Sequence, residues 1–380
     1  MNRVAVRPEL LRWARKRAGR SVESLSGKFP KLAAWEADKA RPTLKQIESF
    51  ARATFVPVGY LFLQAPPAER IPIPDLRTPG TWRIGHPSPD LIDSIYICQR
   101  RQAWYRDWAR SVGEEPGAFV RSVTLDAPVE ETAATMRRAL GFDLDARRDC
   151  PTWTEALRRF IAQAEALGVL VMVSGVVASN NHRRLDPEEF RGFALADDLA
   201  PLVFINGADT KAAQMFTLAH ELAHLWLGES ALSDVAPSSQ PTQRIESWCN
   251  RVAAELLVPL AVLREALPRG NALAEVQPLA RRFKVSTLVI LRRLMDARRL
   301  TREAFDDAYE AELTRLRAHP KASGGDFYLT QAVRLSRRFA RALIASTLEG
   351  QTLYRDAFRM LGIAKESTFR ELSAQLGYAV

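Results

Sequence analysis

Apolar residues in the first sixty positions recur three and four apart in short runs broken by turn formers, a pattern that predicts five short helices over residues 7–63. Pro8 suits a first helical turn, and Leu10, Leu11, Ala14 and Ala18 form an apolar face that stops at Gly19. Ser21 is placed to cap a second helix, Pro30 to Glu36 read as the third, Thr43 caps a fourth through Ile47, Phe50 and Ala51, and Gly59 to Leu63 close the group. Gln64 to Pro74 is a Pro-rich, extended connector. Residues 90–112 then place Ile92, Ile95, Tyr96, Gln99, Ala103, Trp104 and Trp108 near helical spacing. Because these aromatics keep the helical period, they and the nearby Arg100, Arg101 and Arg106 fit a packing face better than a base-stacking surface.

Beyond residue 150 the pattern alternates. Trp153 to Leu167 is an amphipathic helix, and residues 168–174, 190–195 and 201–206 read as strands. Met215 to Leu227 is an apolar run that Gly228 would end as a helix, Gly228 to Gln243 is polar and reads as a loop, and Ile245 to Val258 is a second apolar helix stopped by Pro259. Residues 279–294 have the shape of two helices with a turn at Val285-Ser286. Gly324 to Tyr328 marks a break, and residues 329–347 and 352–376 are helical. The expected fold is multidomain, mainly α with a small β-sheet. It comprises an all-α head over 1–65, a connector and helical region over 66–150, an α+β core over 151–268 and a helical region over 269–380.

The chemistry concentrates in one helix. His220-Glu221-Leu222-Ala223-His224 is an H-E-x-x-H motif in a chain with five histidines in all. At about 3.6 residues per turn the two imidazoles share a face and converge on one point, which suits Zn2+. Glu221 beside the first ligand is placed to take a proton from a water activated there. A third ligand is required, and Glu229, Asp234, Glu246 and Glu255 are candidates. Glu246 is preferred because it shares a helix face with Asn250 and Ala253, small enough to approach the first helix closely. His182, in the polar loop Ser179 to Arg184, could border the cleft but reads as an exposed loop residue.

Net charge is +10, and residues 1–70 hold fourteen Lys and Arg against six Asp and Glu, so most of the excess lies in the head and points to nucleic acid. Apolar runs long enough for a membrane span are lacking, and Met1 to Arg7 leads into a charged helix rather than a signal peptide, so a cytoplasmic location without membrane attachment is expected. Cys98, Cys150 and Cys249 are too far apart for a C-x-x-C site and read as buried thiols.

Two resemblances add to this. F-T-L-A-H-E-L-A-H-L followed by I-E-x-x-C-N-x-x-A-A-E-L-L-V-P resembles the ImmA/IrrE family of zinc metallopeptidases. That resemblance implies a zincin-like core with His220, His224 and Glu246 as zinc ligands and Glu221 as catalytic base. Cys249 stands where the family usually has Ala, and Val252 where it usually has Phe. The head, with W-E-A-D-K-A-R-P-T after its third helix, resembles the XRE-type helix-turn-helix of phage repressors. It implies a homodimer on double-stranded DNA, with Lys28, Lys31 and Ala34 facing bases and Lys39 and Arg41 facing phosphate. It departs from that pattern in placing Pro30 at the start of the recognition helix.

Together these imply a DNA-binding regulator carrying a zinc endopeptidase that cleaves a protein such as a repressor. The alternative is a regulator or antitoxin that uses the same domain to hold metal or a cognate toxin without cutting. The transition-state-stabilising group stays open: His182, Asn250, a Tyr or another residue.

Overall fold

The computed structural model describes residues 3–77, 87–233, 243–268, 270–318 and 334–378. The chain forms two compact units, Met1–Pro72 with Ile84–Asp93, and Ile73–Arg83 with Ser94–Val380. No helix among the described residues is long and apolar enough to cross a membrane.

The first unit contains α1 (Pro8–Arg17), α2 (Val22–Ser26), α3 (Leu32–Glu36), α4 (Leu44–Thr54) and a closing 3-10 turn, Val58–Phe62. Pro8 lies in the first turn of α1, where a missing N–H costs nothing, with Arg15, Lys16 and Arg17 at the other end. Ser21 accepts from the Ser24 amide. Thr43 and Gln46 make a reciprocal capping box at α4. Leu10, Leu11, Leu32, Trp35, Ile47 and Phe50 fill the core, with Phe29 edge-on to Phe50 at 5.6 Å. Arg15 ties α1 to α3 through both carboxylate oxygens of Glu36, at 2.6 and 2.9 Å. Two details differ from expectation. The closing element is a 3-10 turn, and α3 begins at Leu32, so Pro30 falls in the preceding turn, where Phe29 O accepts from Leu32 N.

In the second unit, α5 (Pro89–Ser111), from Ser94 onward, precedes α6 (Val129–Leu140), α7 (Leu144–Arg148) and α8 (Trp153–Ala166). Then come β1 (Leu170–Ser174), β2 (Gly192–Leu195), β3 (Leu202–Asn206), α9 (Lys211–Leu227), β4 (Ala231–Leu232) and α10 (Arg244–Leu257). The sheet order is β1-β3-β2-β4, with β1 and β3 parallel and β2 antiparallel to both its neighbours. Every strand residue is buried, which is why the strands read as unbroken apolar runs rather than alternating ones. β4 was not anticipated: its two residues open the stretch expected to be a polar loop, whose Asp234 to Thr242 lie outside the described residues.

One continuous core runs from Phe119 through the sheet, α9 and α10 to Tyr309. It takes in α11 (Leu260–Ala266), α12 (Val276–Phe283), α13 (Thr287–Asp296) and α14 (Arg302–Ala318), so the pair around Val285-Ser286 packs into the body of this unit. α15 (Arg337–Leu348), α16 (Tyr354–Leu361) and α17 (Glu366–Gln375) follow. The stretch 352–376 is thus divided by Gly362, whose φ of +67° ends α16, while Gly324 to Tyr328 and residues 329–333 lie outside the described residues. The aromatic stretch of α5 is a packing face: Trp104 meets Phe339 of α15 at 5.6 Å, and Arg338 donates to Tyr105 and Glu114. Glu165 at the end of α8 accepts from the Ser336 hydroxyl and the Arg337 amide, capping the start of α15. All three cysteines are buried free thiols.

Candidate metal centre

α9 is capped by Thr210 and ended by Gly228 in the left-handed region, φ +77°. A side chain at Gly228 would also strike Arg121, so both backbone conformation and space require glycine there. From Gln214 to Trp226 every residue is buried, so the polar side chains on this helix face protein on all sides. A buried polar group is stable only where something satisfies it.

The helical repeat stacks His220 on His224, their Nε2 atoms 3.1 Å apart. Glu246 enters from the first turn of α10, with Oε2 3.3 Å from His220 Nε2 and Oε1 3.1 Å from His224 Nε2. All three side chains are fully buried. Among the described residues, this is the group whose donor atoms gather closely enough to hold a metal ion.

The donor set fits zinc. Tetrahedral bonds of about 2.0–2.2 Å place neighbouring donors about 3.3–3.5 Å apart, close to the three separations found here. Two imidazole nitrogens and a carboxylate, with no fourth His, Cys, Asp or Glu donor in the cluster among the described residues, leave one position of a tetrahedron for water or substrate, as a catalytic site requires. Burial alone would lift the Glu246 carboxyl, but the facing histidines outweigh it and hold it well below the usual carboxylate range. Burial lowers His224 below the ordinary imidazole value, against the opposing pull of Glu246.

Glu221 lies beside this cluster. Burial pushes its carboxyl well above the ordinary value, Glu246 pushes the same way, and a hydrogen bond from Ser233 opposes them. The Ser233 hydroxyl donates to Glu221 Oε2 at 3.2 Å, which leaves Oε1 buried with no partner among the described residues. The Nδ1 atoms of both histidines are likewise unpartnered there.

Ser233 and Gly192 are site residues that sequence reasoning missed. Ser233 follows the two-residue β4, too short to show a period. Gly192, on β2, is where the sheet meets α9: a Cβ there would lie 2.6 Å from Thr217 Cγ2 and 2.8 Å from the Phe204 carbonyl oxygen. A glycine inside a strand run was the available signal for such close approach.

The other candidates fall elsewhere. Glu229 is exposed, and Glu255 is engaged by Arg293 and the Leu260 amide. Asp234 lies outside the described residues. His182 is exposed on its loop, with its backbone N–H donating to Asn180. Asn250 Oδ1 is buried and has no partner among the described residues. In the first unit Lys28, Lys31, Lys39 and Arg41 are exposed and Ala34 half-buried.

A buried pair of histidines, a carboxylate and an adjacent acid on a sheet-backed helix define a metallopeptidase type of centre, and residues 164–295 match the family described as the IrrE N-terminal-like domain of peptidase M78. Among curated proteins, the chain is 40% identical over 94 residues to the radiation response metalloprotease IrrE of Deinococcus radiodurans, covering 22% of this chain and 28% of that protein. It is 42% identical over 94 residues to the protein of the same name from Deinococcus deserti, covering 22% of this chain and 32% of that one. The match thus spans about a third or less of those relatives. Residues 335–375, holding α15 to α17, match a domain of unknown function.

Metal analysis of the purified protein is expected to give about one zinc per chain, with His220→Ala and Glu246→Ala each losing it. Full zinc content in either variant would contradict this donor set.

Proposed function

We propose that the chain is a zinc-dependent endopeptidase acting on a protein such as a repressor, carried with a head that binds double-stranded DNA. The observation that carries the catalytic part is the convergence of His220, His224 and Glu246 with Glu221 alongside, one of its carboxylate oxygens unengaged among the described residues. The IrrE-like match over residues 164–295 and the relatives named as metalloproteases support it.

Zinc held by the three donors would act as a Lewis acid toward a peptide carbonyl and make water more acidic. The rest falls to the chain. Glu221 accepts a proton from the attacking water as its oxygen bonds to the carbonyl carbon, then delivers it to the departing amine as the C–N bond breaks. Ser233 fixes the second oxygen of Glu221 and so aims the first. Burial around α9 excludes bulk water that would compete for these bonds.

Glu221→Gln keeps shape and removes the base. It should retain zinc and lower cleavage of the protein substrate by about 10²–10⁴-fold. Cleavage at the wild-type rate would remove the proteolytic reading and leave the non-cutting regulator or antitoxin.

The DNA-binding part is supported by the excess of positive charge in residues 1–70 and by the exposure of Lys28, Lys31, Lys39 and Arg41. Lys39→Ala and Arg41→Ala should weaken duplex binding similarly across sequences and each reduce the salt slope by about one. A salt slope unchanged by both would contradict phosphate contact at these positions.

A further inference from the structure

The outer side of β4 is already occupied, and by this chain itself. Leu232 donates its amide to Pro74 O and accepts from the Leu76 amide, both at 2.9 Å, so both of its outward backbone groups are taken. Residues 74–76 thereby pair with β4 in parallel, extending a sheet whose named strands end there. The segment is pinned. Arg77 donates to the Glu189 carbonyl oxygen at 2.8 Å, grips both oxygens of Asp75, and is 6% exposed. Ile73 is buried at the other end.

The next residue after Leu232 is Ser233, whose hydroxyl lies 3.2 Å from both Glu221 Oε2 and His224 Nε2. An extended chain paired with Leu232 is therefore one residue along the strand from a group that touches the reactive cluster. A sheet edge binds an extended peptide through its unpaired N–H and C=O groups with little regard for sequence.

We propose that the outer edge of β4 is the docking strand for an extended segment of a protein substrate, and that Pro74–Arg77 is its built-in occupant, held by the Arg77 anchor. This rests on the peptidase reading for the nature of the occupant. A substrate segment must then displace the chain's own strap before it can pair with Leu232, and the anchor sets how readily that happens. The strap has polar elements suited to release as well as retention: Pro74 and Asp75 are exposed, and among the described residues the Asp75 carboxylate accepts from the guanidinium and amide of Arg77.

Two substitutions in the zinc-supplied full chain test this. Arg77→Ala removes the anchor, and Leu76→Pro removes the N–H that reaches Leu232. Hydrogen exchange at the Leu232 amide should accelerate about tenfold or more in both, while amides of α9 and α10 keep their protection. A fluorescein-labelled peptide copying residues 70–77 should then bind both variants at least about tenfold more tightly than wild type, a gap of about 1.4 kcal/mol. The same gain is expected in a Glu221→Gln background, where nothing is cut, so loss of the catalytic reading would not erase it. Equal peptide affinity for wild type and both variants would overturn the proposal, as would unchanged Leu232 exchange in both.

Discussion

Everything at the centre of the second unit depends on three donors held at 3.1–3.3 Å with no exposure to solvent. Two imidazole lone pairs and a carboxylate pointed at one another are unfavourable in a low-dielectric interior unless a cation lies between them. A buried ion of several kcal/mol desolvation cost persists only where something outweighs that cost. Hence the cluster is an electrostatic hole shaped for a metal. α9 and α10 pack directly against one another, and Ala219 and Ala223 on the first and Ala253 on the second are fully buried.

The sheet serves the same purpose from the other side. Gly192 lets β2 lie against Thr217 and Glu221 without a clash, and β4 brings Ser233 within reach of Glu221 Oε2. The remainder of the second unit stiffens this arrangement from a distance. Arg293 engages Glu255 at the far end of α10 and donates to the Val258 carbonyl, fixing the helix that carries Glu246. Glu165 fixes the start of α15, so the region matching a domain of unknown function is attached to α8 by charge-assisted hydrogen bonds. Such bonds hold direction as well as distance.

The convergence of His220 and His224 was legible because four residues nearly complete one helical turn, a rule local to the chain. Glu246 was legible through Asn250 and Ala253, which mark a face that could approach another helix. The helices and three strands of the core were legible from period and apolar runs. Contacts between distant residues were not. Ser233 reaches Glu221 only because β4 pairs with β2, and two residues carry no measurable alternation. The strap is further out of reach, since Pro74 and Leu232 are more than a hundred and fifty positions apart and the connector's prolines signal only extension. Gly362 lies in a stretch expected to be helical, yet its left-handed backbone divides that stretch in two.

X-ray absorption at the zinc edge of the purified protein addresses the donor set most directly. Two imidazole nitrogens and carboxylate oxygen at about 2.0–2.2 Å, with no sulfur, are the result this structure requires. The buried Cys249 neighbours the cluster on α10, so the alternative is concrete. A sulfur shell near about 2.3 Å, or the absence of imidazole scattering, would contradict the account.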